Sequence, residues 1–136
     1  MQTKQKDNLL FIRLFKEENV YESLKDALKK HNVITGVFLS CVGQLKEIEL
    51  GFFKEKGNYV PEKFTNPYEL LSLTGNVSKG EFHLHAILSD ENKKTIGGHF
   101  ISAIVSVTAE IIILTTDLEV KREIEEWNGL KGMFLE

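Results

Sequence analysis

Apolar residues fall along this chain in two rhythms. From Val20 to His31 they recur at helical spacing, at Val20, Leu24, Ala27 and Leu28, with lysines and acids between them, which predicts one amphipathic helix. Elsewhere they gather in short runs rich in β-branched and aromatic residues. Leu9 to Phe15, with Arg13 as its only charge, predicts a strand ahead of the helix. Ile34 to Val42, punctuated by Gly43, and the mostly alternating Leu45, Ile48, Leu50 and Phe52 predict two strands joined by a tight turn. Lys54 to Pro67 carries charges, Gly57, Asn58 and both prolines, and reads as the longest loop.

Four more strands are expected at Tyr68 to Val77, Glu81 to Leu88, Thr95 to Val105 and Val107 to Thr116. Hairpin-like punctuation separates them at Asn76 and Lys79-Gly80, at Asp90 to Lys93, and more weakly near Ser106. The tail from Asp117 to Glu136 admits two readings. Val120, Ile124 and Trp127 fit a short helix, whereas Trp127-Asn128-Gly129 followed by Leu130 to Leu135 fits a closing hairpin, which is favoured. One helix with many antiparallel strands makes an α+β fold. With 136 residues, no internal repeat and no dividing linker, residues 1–136 are expected to form one domain.

Composition narrows the function classes. No opening stretch has the order of a signal peptide and no apolar run reaches the roughly 18 residues of a membrane span, so a cytoplasmic, membrane-free protein is expected. The net charge of -3 would repel a phosphate backbone on average. Only Arg13 and Arg122 among the 17 basic residues are arginines, a poor endowment for reading bases, so DNA is a disfavoured partner. Cys41 sits in an apolar run and reads as a buried small hydrophobe rather than a catalytic thiol. No serine or cysteine nucleophile signature, phosphate-cradling glycine loop or Cys-x-x-Cys pair is present.

The histidines carry the remaining chemistry. In His83-Leu84-His85, alternation along a strand points both imidazoles the same way, about 7 Å apart. His99 follows Gly97-Gly98 at the start of the next strand, where an antiparallel neighbour would set it across from the pair. Three such imidazoles suit a divalent transition metal and leave a coordination position open. The adjacent glycines allow close backbone approach where a ligand or a neighbouring chain must fit. The competing reading is an alternating strand that shows two polar residues to solvent. His31, at the helix end, reads as a C-terminal cap. Glu69 and Glu110 stand inside apolar runs, either on an exposed strand face or buried with a partner. In a metal-dependent enzyme either acid could accept a histidine N–H or act as general base.

In order along the chain stand Gly36-Val37-Phe38, Cys41-Val42-Gly43-Gln44-Leu45, Glu69 to Asn76, His83-Leu84-His85, Gly97-Gly98-His99 and Ala109-Glu110. This succession resembles the plant-and-prokaryote-conserved domain, the PPC domain, of the prokaryotic stand-alone type, over about residues 9–135. The resemblance implies a curved, mainly antiparallel sheet with one main helix, assembled as a homotrimer. It implies a metal, zinc foremost, on His83, His85 and His99, with a regulatory or DNA-associated role by family label. An enzyme acting on an unknown small molecule is the alternative. Plant members bind the minor groove through a separate Arg-Gly-Arg-Pro hook, which this chain lacks. Their partner-contacting Gly-Arg-Phe-Glu-Ile-Leu corresponds here to Asn66-Pro67-Tyr68-Glu69-Leu70-Leu71, which keeps the glutamate and loses the glycine and arginine.

Overall fold

A computed structural model describes residues 1–135. The chain runs β1 (Gln2–Lys6), β2 (Leu9–Phe15), α1 (Val20–Lys30), β3 (Thr35–Glu55), β4 (Asn58–Phe64), β5 (Tyr68–Ser78), β6 (Glu81–Ser89), β7 (Thr95–Thr116), β8 (Lys121–Ile124) and β9 (Lys131–Phe134). Seven strands form one sheet in the order β1-β2-β7-β6-β5-β3-β4, and β8 pairs with β9 in a separate ribbon. Every ladder is antiparallel. β7 also pairs with β3 from Gly51↔His99 to Thr35↔Thr116, so the sheet curls until β3, β5, β6 and β7 close on one another. The expected α+β fold, a curved antiparallel sheet with one helix, is what forms.

The helix starts where Asn19 Oδ1 accepts the Glu22 amide at 3.0 Å, satisfying one of the donors a helix leaves free at its first turn. It ends at His31, whose amide donates to the Ala27 carbonyl at 3.1 Å and whose ring lies 2.9 Å from Thr3 Oγ1. Val20, Leu24, Ala27 and Leu28 are buried in one core with Leu10, Ile12 and Leu14 of β2 and Ile111 and Ile113 of β7. Cys41 joins that core, and burial pushes its thiol up to about 12, so it is a packed apolar group at neutral pH.

Three expectations are corrected by the sheet. β3 is one 21-residue strand and not two joined by a turn at Gly43. Its register against β7 shifts between Phe38 and Ser40, Gly43 and Leu45, Lys46 and Glu49, and Glu49 and Leu50. These bulges break the period-two alternation without ending the pairing, and a bulge reads in sequence much like a turn. β7 likewise runs through Ser106 for 22 residues; its buried positions change phase between Phe100 and Ala103, opposite the shifts in β3. The expected loop from Lys54 to Pro67 folds as the end of β3, a turn through Lys56 and Gly57, and β4. β4 hides no face and lies at the sheet edge, where Pro61 costs no interior ladder bond, so neither alternation nor composition marks it. β1, an edge strand bearing Lys4 and Lys6, went unread for the same reason. The tail is the hairpin β8–β9 and not a helix.

Truncating Leu24 to alanine should cost about 2–5 kcal/mol, because the side chain is fully buried between helix and sheet. Chemical denaturation of the two proteins measures it; a loss near zero would mean that the helix is not part of the core.

Candidate metal centre

β6 and β7 supply the three imidazoles. His83 and His85 alternate with the buried Leu84 and Ala86, so both rings stand on the face of β6 away from the core. The β6–β7 ladder puts His85 directly opposite His99. Among the described residues these three form one cluster in which a ligand atom from each lies within 4.8 Å of the others. His83 Nε2 and His85 Nε2 are 3.3 Å apart, and the ring centroids are separated by 5.3, 5.4 and 5.6 Å. A tetrahedral zinc with bonds of about 2.0–2.1 Å sets its ligands about 3.3–3.4 Å apart, so the donor set fits such an ion after small ring rotations.

Close backbone contact makes this possible. A Cβ on Gly97 would come 2.9 Å from the Ala86 carbonyl oxygen, and one on Gly98 3.1 Å from that of Gly51. The paired glycines thus admit neighbouring strands of the same sheet. Gly51, opposite His99, leaves room for the Tyr59 ring, which a Cβ would meet at 2.2 Å. Tyr59 then packs edge-on against the His99 ring at 5.8 Å, and burial raises its hydroxyl pKa.

The histidines floor a cleft of about 400 Å³, walled by Phe53 and Tyr59 from the β3–β4 hairpin and by Arg122, Leu130 and Lys131 from the β8–β9 ribbon. Desolvation holds the imidazoles of His83 and His99 below the usual histidine range. The neighbouring His85 pushes the same way on both, and Arg122 adds to the shift on His83. Both shifts favour the neutral ring, the form that binds metal.

The acids read from the sequence lie elsewhere. Glu69 is exposed on β5, accepts the Gln44 amide at 2.8 Å and pairs across from Ser89. It is five residues along the strand from Thr74, the partner of His85, or roughly 16 Å at the usual strand rise. Glu110 is exposed between Arg13 and Val42, near the opposite end of β7 from His99. The acid that does line the cleft is Glu81, tied to Lys131 at 2.7 Å. Tyr59 was missed because its host was read as a loop, where the turn signal at Lys56-Gly57 could have exposed the hairpin; Arg122 and Lys131 were missed although Asn128-Gly129 marked their hairpin, because nothing in the tail's local pattern ties it to the histidines.

The sequence profile of the Plants and Prokaryotes Conserved (PCC) domain matches residues 1–117. A metal-containing protein from Archaeoglobus fulgidus superimposes with a TM-score of 0.83 at 22% identity, covering 98% of this chain and 97% of that one. A candidate DNA-binding protein from Bacteroides thetaiotaomicron gives 0.91 at 22% identity, covering 98% and 96%. A plant- and prokaryote-conserved protein from Pyrococcus horikoshii gives 0.79 at 26% identity, again covering 98% and 96%. Bifunctional protein GlmU of Synechococcus sp. (strain JA-2-3B'a(2-13)) is 27% identical over 103 residues, which are 75% of this chain and 16% of that protein. This chain thus spans about a sixth of the length of the curated relatives it matches.

In metal-free protein the His83 and His99 rings should titrate below the ordinary value of about 6.5. The unfolded chain then binds more protons between the two values. The contribution of these rings to stability is therefore present above about pH 6.5 and lost as pH falls through the folded values. An NMR titration of the ring protons checks this; values above 6.5 would mean that the rings are neither desolvated nor adjacent.

Proposed function

The chain belongs to the Plants and Prokaryotes Conserved (PCC) domain family, and on that premise we propose that it is a metal-binding member in which His83, His85 and His99 hold one divalent transition metal, zinc foremost. The observation that carries this reading is the convergence of three imidazole ligand atoms within 4.8 Å at the base of a cleft. Three neutral nitrogen donors suit zinc and leave one position open to water or a ligand. The description of the A. fulgidus neighbour as metal-containing points the same way.

Self-association as a homotrimer completes the reading. On the sheet face turned away from the helix, Leu9 and Phe11 of β2, Val37 and Val42 of β3 and Leu114 of β7 are all exposed, from 37% to 48% of their surface. The ladders align Leu9, Leu114 and Val37 in one row, so the patch is continuous across three strands. Monomers rarely expose an apolar surface of this kind, and further copies of the chain are its occupant. A DNA-associated role, suggested by the B. thetaiotaomicron neighbour, has less to rest on. Arg13 lies over the Phe15 ring and Arg122 turns into the cleft. A second reading, metal-assisted chemistry on a small molecule, is favoured by the cleft over the open side of the histidines. Glu81, and not Glu69 or Glu110, is the acid placed for it. A cytoplasmic setting agrees with Cys41 as a free thiol.

Elemental analysis of protein purified without a nickel column should find about one metal per chain in the wild type and almost none in His85→Ala. A metal-free wild type, or a variant that keeps its metal, overturns the reading. For the assembly, light scattering should give a three-chain mass that drops to one chain in Phe11→Glu/Val37→Glu, with unchanged circular dichroism. An unchanged mass would contradict assembly through this face.

A further inference from the structure

Arg122 has an unusual setting. It leaves β8, beyond residue 117 where the family match ends, and reaches across to β5. There Nε donates to Ser78 Oγ at 3.1 Å and Nη2 to Asn76 Oδ1. Asn76 is the cross-strand partner of His83, so the guanidinium is fixed one strand away from the histidines. Both acceptors are neutral, and among the described residues no carboxylate pairs with this half-buried cation. A cation withdrawn from water normally has an anionic partner. Of its five N–H donors, Ser78 and Asn76 occupy two and leave the rest of the fork free. The other charges of the cleft, Lys131 and Glu81, cancel each other at 2.7 Å. Phe53 and Tyr59 line the cleft from the other hairpin, β3–β4, with Leu130 beside Lys131 on the ribbon, and the volume of about 400 Å³ is that of a small-molecule site.

From this we infer that the cleft takes a small molecule with an oxyanion at one end and an apolar body at the other, and that the free fork of Arg122 holds the oxyanion. The planar fork matches a carboxylate or a phosphate through two parallel hydrogen bonds. The inference rests on the metal reading for a second anchor at the histidines, and not for the role of Arg122.

Calorimetric titration of zinc-loaded protein at fixed ionic strength, with benzoate, phenyl phosphate and neutral benzamide as probes, tests it. At least one of the two anions should bind, and benzamide at least tenfold more weakly. Arg122→Gln, which keeps a donor for Ser78 and Asn76 but no charge, should weaken the anion roughly tenfold or more, the scale of a lost charge-assisted hydrogen bond. Its zinc content and folding should match the wild type. The tighter of the two anions identifies the oxyanion. Benzamide binding as well as the anions, Arg122→Gln binding them unchanged, or neither anion binding overturns the inference. If the wild type takes up no zinc, the metal reading alone fails, and the same titrations on metal-free protein decide the part played by Arg122.

Discussion

The long antiparallel pairing of β3 with β7 is the constraint on which the rest depends. It runs from Gly51↔His99 to Thr35↔Thr116 and holds the curled sheet closed. At one end of that seam β7 is bonded on both edges, to β6 through His85↔His99 and to β3 through Gly51↔His99. His99 is therefore fixed where two ladders meet; Gly97 and Gly98 let the neighbouring strands approach there, and Gly51 leaves room for the Tyr59 ring. Ladder hydrogen bonds set a ring position far more tightly than a loop would, which suits a centre that must present several donors at once.

Around this floor the chain arranges polarity in a definite sense. Desolvation and the neighbouring imidazoles hold the His83 and His99 rings below the usual histidine range, while among the described residues Arg122 is the charge of the cleft that has no opposite partner. Two hairpins with little core of their own provide the walls. β3–β4 brings Phe53 and Tyr59; β8–β9 brings Arg122, Leu130 and Lys131, anchored by Arg122 on Ser78, Lys131 on Glu81 and Lys56 on the Glu126 carbonyl. A rigid floor of ladder-bound histidines thus sits under walls held mainly by surface contacts, and variation of the walls can change what enters without disturbing the floor.

Legibility in the sequence follows burial. The helix was readable because Val20, Leu24, Ala27 and Leu28 face a core, and β2 because its buried residues alternate strictly. The histidine triad was readable because His-x-His alternates on one strand and Gly-Gly-His opens the next, and the ladder then places His85 opposite His99. β1 and β4 escaped because an edge strand without a buried side has no period to display. β3 and β7 were each split because bulges reset the alternation. Arg122 escaped for another reason: its contacts with Asn76 and Ser78 join positions 46 and 44 residues apart, and local pattern carries no trace of them.

That three histidines of one chain share one metal is tested most directly by X-ray absorption at the zinc edge on protein loaded with one equivalent. Three imidazole nitrogens at about 2.0–2.1 Å, with one oxygen ligand, are expected. A shell of oxygens alone, or fewer than three imidazoles, would contradict a centre built from His83, His85 and His99.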